Sequence, residues 1–294
     1  MLNAFESLVL FSEVVLSAYP LLIKLVDASV FFQVGLRMAV YTGMAALAGL
    51  LTGAPILAST LWSAETAAIG ALNLAHVAGS YIGFEQLAGG NAMALFYTYP
   101  VFNILGAAWL LGETVPAGSW PWIAVAAAGA VALSAPTATN WTLVGVFGAL
   151  LAALTETGIY LWFKKHEGDP ESDSTTPWAK MVQMYGSSGV LWAVGAAAAA
   201  AVGLIGRSVF RIGGNGLRNI LLFNGLIGFG GYALRFFLIP RVSTVVFSAL
   251  SFFGVIAAYL LSWVFAGELP SALQMAGAAA IIVANTVLVT RETA

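Results

Sequence analysis

The side chains able to do chemistry in this sequence are few, and most sit inside apolar runs. Glu13 lies in the first run, with Ser17 and Pro20 on the same helical face. Asn73, His76 and Ser80 share a face at spacings of three and four residues. Tyr99 and Asn103 repeat that spacing beside Phe96 and Pro100, and Glu156 precedes Tyr160 by one turn. Arg37, Asn224 and Arg235 stand in other apolar stretches. An ionisable group at membrane depth is costly, so it faces protein or a wet cavity and marks a binding or proton-handling position by default.

Each residue carries two readings. Glu13 and Glu156 are coupling carboxylates or substrate counter-ions, against hydrogen bonds that merely join helices; the first reading is preferred for Glu13. His76 is a proton carrier or a satisfied packing residue. Arg37, about 10 Å into its run at 1.5 Å per residue, neutralises Glu13, binds a carboxylate or phosphate bidentately, or serves the fold. Arg235 binds an anionic group or extends its head to the interface beside Pro240 and Arg241. Phe96, Tyr97, Tyr99 and Phe102 form a wall on which a cation rests, or ordinary packing. Glu6 and Glu85 sit near span ends and read as interfacial, while Glu113 and Glu268 organise turns or gates. Gln183, Tyr185 and Ser187 have weaker claims.

Other chemistries find no support. No nucleophile stands with a base, so the chain does not read as an enzyme. There is no cysteine, the second histidine, His166, lies in a polar stretch, and no HExxH spacing occurs, so neither a metal nor a cofactor is expected.

The elements that must position these groups follow from composition. Of 294 residues, 60% are hydrophobic and 8% charged. A soluble domain carries about 25% charged residues, so this chain lacks the polar surface to coat itself in water. It reads as an all-α integral membrane protein whose main partner is the lipid bilayer. A net charge of -2 offers no footprint for nucleic acid. With about 20 apolar residues needed per crossing, ten transmembrane helices are predicted. They cover 4–23, 30–52, 66–86, 92–111, 118–135, 142–163, 180–204, 217–239, 243–266 and 272–290. Gly and Pro clusters such as Thr52-Gly53-Ala54-Pro55 and Pro136-Thr137 punctuate them. No cleavable signal peptide is expected, since Met1 to Ala4 carries no basic residue. Trp120, Trp122, Trp141 and Trp178 read as interface anchors, and the Ala196 to Ala201 run as close helix packing.

Gly112-Glu113 and Gly267-Glu268 stand 155 residues apart, each closing an apolar segment and each followed by a proline, Pro116 or Pro270. The chain therefore reads as a duplication, residues 1–140 and 141–294, with a polar linker at 164–178 between the sixth and seventh helices. Lys and Arg divide five against four between the two sides, which places the termini in the cytoplasm.

Ten spans, two five-span halves, a Pro-bearing fourth span ending in Gly112-Glu113 and its match at Gly267-Glu268 together resemble the drug/metabolite transporter superfamily, particularly its EamA-like members. Gly35 to Leu51, with Arg37 early in the run, fits as well. The first span departs from the pattern, having Ser12 to Leu25, SEVVLSAYPLLIKL, where many relatives carry a Trp-Gly pair. The resemblance implies two inverted five-helix repeats, a cavity between the halves near mid-membrane and alternating access. The expected function is secondary active transport of a small polar metabolite in the cell membrane. Two acids and two arginines favour an amino-acid-like zwitterion, and protons couple through Glu13 or Glu156. The rival readings are a membrane binding or scaffold protein and a facilitative channel.

Overall fold

A computed structural model describes residues 2–53, 63–133, 142–166, 177–267 and 269–292. Glu268, Trp141, Pro55, Pro136-Thr137 and residues 167–176 of the linker lie outside the described residues.

Among the described residues the chain is helical, and nine helices are long and apolar enough to cross a membrane. They are α1 (Ala4–Lys24), α2 (Val30–Thr52), α3 (Ala64–Gln86), α4 (Gly89–Leu111), α6 (Leu143–Lys165), α7 (Trp178–Ala201), α8 (Gly216–Arg241), α9 (Thr244–Phe265) and α10 (Ala272–Arg291). Between α4 and α6 lies a shorter apolar helix, α5 (Ala117–Leu133). The ten predicted spans thus meet nine of full length and one short helix, with ends within three residues of those read from the sequence.

Short polar residues start these helices. Asn3 and Glu6 form a capping box at 2.9 Å and 2.8 Å, so Glu6 is buried by its own helix end. Ser29, Ser63, Thr142 and Ser243 each accept from the backbone N–H three residues on. Glycines in the left-handed conformation end α2, α4 and α9: Gly53, Gly112 and Gly267, with φ of 70°, 71° and 69°.

Several spans are interrupted. In α4 the regular helix breaks at Tyr97 and Thr98: Thr98 N–H reaches only the Leu95 carbonyl, and Pro100 has no N–H to give. In α9 the break falls at Phe252, 155 residues later. The first span breaks after Leu16 and resumes at Tyr19, and nine residues of α8, Leu221–Phe229, form a π-helix. Such wide turns are frequent at functional sites.

The main contacts join α3 to α6 and α7, α5 to α10, α2 to α7, α4 to α6 and α9, and α1 to α8 and α9. Glycine allows two of them. A Cβ on Gly79 of α3 would lie 2.8 Å from the Gly148 carbonyl oxygen of α6, and one on Gly129 of α5 would lie 2.7 Å from that of Gly277 on α10. The Ala196 to Ala201 run behaves otherwise: Ala197, Ala198, Ala200 and Ala201 are exposed, so this run faces outward rather than packing. Trp178 stacks on Phe229, with centroids 6.1 Å apart.

Both ends of the bundle are tied. Toward the end where α1 meets α2, Ala28 and Ile212 form an antiparallel bridge, Gly213 N–H donates to the Asp27 carbonyl at 2.8 Å, and Lys24 donates to that of Leu87 at 3.0 Å. At the opposite end Lys164 donates to the carbonyls of Ile239 and Val242 and lies 4.0 Å from Glu113. His166 there caps α6 and meets Glu65 at 2.9 Å, tying α6 to the start of α3.

Candidate functional site

Four ionisable side chains from four helices meet in the middle of the bundle, all buried. Arg235 of α8 donates from Nη1 to Glu13 Oε1 of α1 at 2.6 Å, and its Nη2 lies 3.0 Å from Glu156 Oε1 of α6. Glu156 Oε2 in turn lies 3.3 Å from His76 Nε2 of α3. The Glu13 contact is an aligned hydrogen bond. Those of Glu156 are close charge contacts without hydrogen-bond alignment, since neither of its oxygens has a geometric donor.

Glu13 is also held from the broken helices. Tyr97 and Tyr99 of α4 donate to its Oε2 at 2.9 Å and 3.1 Å, and Ser251 of α9 donates to Oε1 at 3.3 Å. The break in α4 is what lets Tyr97 and Tyr99, two residues apart, reach one oxygen; in a continuous helix they would face about 200° apart. Arg235 lies over the Tyr99 ring at 4.6 Å and the Phe247 ring at 5.4 Å.

The imidazole carries information about protons. His76 Nδ1 lies 3.1 Å from the Ala152 carbonyl oxygen, which only accepts, so Nδ1 bears a hydrogen. Nε2 then faces Tyr232 Oη at 3.3 Å and Glu156 Oε2 at 3.3 Å. The Tyr232 hydroxyl is placed to donate to Nε2.

A second cation sits apart from the first. Arg37 of α2 is buried among four tyrosine rings, Tyr19, Tyr41, Tyr81 and Tyr232, at 5.0, 4.9, 5.7 and 4.8 Å from its guanidinium carbon. Glu13 is taken by Arg235, so Arg37 does not neutralise it. Arg235, for its part, does not reach the interface.

The other expected site residues go elsewhere. Asn73 donates to Ser188 at 2.8 Å, joining α3 to α7. Tyr160 donates to Thr244 at 2.9 Å beside Phe247. Asn103 is buried with neither amide atom partnered. Tyr97, Tyr232 and Ser251 belong to the cluster and had no distinguishing spacing in the sequence; for Tyr97 the nearby Pro100 was the available signal.

The mid-membrane hollow expected from the resemblance is closed. The space beside the cluster, lined by Leu16, Tyr19, Arg37, Phe96, Tyr232 and Arg235 among others, is about 10 Å³, room for about one water. A cavity of about 420 Å³ lies between α2, α3 and α7, and no ionisable side chain lines it.

No protein-family model matches the chain, and no curated protein matches it. Twenty-seven solved chains match. One, described only as a crystal structure of a protein, covers 97% of this chain and 97% of its own length with a TM-score of 0.70 at 17% identity. At that identity the likeness establishes one thing, a shared helical fold across nearly the whole chain.

Proposed function

We propose that this membrane protein is a secondary active transporter of a small polar metabolite, of the drug/metabolite transporter superfamily and EamA-like, in a form closed toward both faces. The observation that carries this reading is the buried series Glu13, Arg235, Glu156 and His76. Well-packed apolar residues of similar volume are often as stable as a buried ion pair, or more so, so four such groups on four helices are poorly explained by stability alone. Their setting supports a moving part, because the helices around them are broken or π-wound, as in carriers that bind cargo at discontinuous helices.

The two halves are inverted repeats in this reading. Breaks at Tyr97 and Phe252, and left-handed glycines at 112 and 267, recur at one offset. Exchanging each helix with its counterpart five positions on also maps the main contacts onto one another, α3 with α6 onto α8 with α1. The termini face the cytoplasm of a cell membrane. One proton per cycle moves through Glu156 and His76, and cargo entry separates Arg235 from an acid.

The test is flux. Purified protein in proteoliposomes takes up labelled cargo faster with a pH gradient, and Glu13→Gln or Glu156→Gln removes that response. Indifference to the gradient together with normal transport by both variants overturns the coupling. The closed centre favours a second reading, a membrane scaffold that binds without moving cargo; a scaffold would not exchange labelled ligand across a sealed membrane.

A further inference from the structure

Among the described residues, Arg37 is a buried cation without a carboxylate in contact. Its four ring neighbours offer faces, and cation–π contacts of this kind contribute about 0.5–2 kcal/mol apiece, against several kcal/mol for removing the charge from water. Neither Nε nor Nη2 makes an aligned hydrogen bond, and the hydroxyls of Tyr81, Tyr185 and Tyr232 lie near the guanidinium. Nε and Nη2 form one edge of the guanidinium, the edge that receives two oxygens of a carboxylate in parallel.

The surroundings point the same way. Tyr185, whose ring packs edge-on to Tyr41 at 4.8 Å, is buried, and its hydroxyl lies beside the Arg37 guanidinium without an aligned hydrogen bond. The other cage hydroxyls are engaged: Tyr19 with Tyr41, Tyr81 with Asn224 at 3.3 Å, and Tyr232 with His76. One guanidinium edge and one hydroxyl thus lie side by side in a single cage with no aligned hydrogen bond. Gly228, in the π-wound part of α8, leaves the room that the Tyr19 and Tyr41 hydroxyls occupy. The small cavity touches both Arg37 and Arg235, so the cage adjoins the acid cluster.

We propose that the Nε and Nη2 edge of Arg37, with the Tyr185 hydroxyl, is the docking site for the carboxylate of a small metabolite. A carboxylate matches the single positive charge of the guanidinium. A phosphate dianion would leave a negative charge among ring faces, with no second cation in the cage to meet it. The site deepens the transport reading and rests on it only for the statement that the bound acid is cargo. A cargo amine would then point toward Glu13 and Glu156.

The test uses the full chain in detergent, by thermal shift with acetate, L-alanine, L-leucine, methylamine and inorganic phosphate. Carboxylates raise the melting temperature of the wild type, and methylamine and phosphate do not. Acetate acting alone marks simple acids, and the amino acids acting alone mark zwitterions. Arg37→Met abolishes the shift while its ligand-free melting temperature stays level or rises. Arg37→Lys, a point charge without the fork, weakens binding about tenfold or more. Tyr185→Phe folds normally and weakens it severalfold. The proposal is overturned if no carboxylate shifts the wild type, if phosphate alone does, or if Arg37→Lys and Tyr185→Phe bind as the wild type does. Should Arg37→Met fail to fold, those last two variants decide. Binding that survives with no flux in liposomes keeps the site and loses the carrier; flux unchanged in Arg37→Lys does the reverse.

Discussion

Arg235 Nη1 lies 2.6 Å from Glu13 Oε1, and the two residues come from the eighth and first spans, 222 positions apart in the chain. Their contact fixes α1 against α8 at the depth where Glu156 also reaches the guanidinium. Removing Arg235 strands two acids. Arg235→Gln should therefore lower stability by about 3–5 kcal/mol, the cost of breaking a buried pair from one side. Adding Glu13→Gln should restore part of it, and chemical or thermal unfolding of the two single variants and the double variant measures that coupling.

In the proposed transport cycle one proton passes through Glu156 and His76. His76→Gln retains an amide that can meet the Ala152 carbonyl but cannot take the proton. Acid-side stimulation of uptake should be lost in this variant while substrate binding, followed by thermal shift, persists. Uptake that keeps its full response to the gradient would remove His76 from the proton path.

Gly79 and Gly148 let α3 and α6 approach through backbone contact. Gly79→Val places two methyl groups where the 2.8 Å gap to a carbonyl oxygen does not admit even a Cβ. The expected loss is about 1–3 kcal/mol, from overpacking of a close contact. Gly43, which has nothing within 4 Å of such a Cβ, is the matched control: Gly43→Ala should leave the melting temperature near that of the wild type.

The chain has no cysteine, so an introduced pair has no background. Ala28 and Ile212 face each other in an antiparallel bridge, where opposed Cβ atoms lie about 4.5–5.5 Å apart. Ala28→Cys with Ile212→Cys should cross-link under oxidation and stop flux, and reductant should restore it. Full flux in cross-linked protein would mean that this face does not open.

Much of the scaffold was legible because lipid imposes a simple demand: every span must be apolar, long and internally hydrogen-bonded. The ends of α2 follow from Ser29 and Gly53, whose cap chemistry is local. The buried acids were legible for the same reason, since Glu13 and Glu156 stand out against apolar neighbours. Their partner was not. Arg37 and Arg235 look equivalent as isolated cations, and only the packing of α8 on α1 gives Arg235 the acid and leaves Arg37 its rings. Tyr97 was legible only as part of an aromatic wall and not as a partner of Glu13, because a regular helix through Pro100 would turn it away from Tyr99. Asn73 and Tyr160 were read together with the acids from depth, and depth says nothing of the direction in which a helix faces its neighbours.

The interruptions at Tyr97 and Phe252 lie in helices that touch, and the Tyr97 hydroxyl rests against Gly254, two residues past the second interruption. A rod is most compliant where its internal bonding lapses, and here two such joints bear on one another. Flexing of either rod would thus be felt at the other, and the hydroxyl gripping Glu13 would travel with both. The acid at the centre of the molecule is in this way tethered to its pivot.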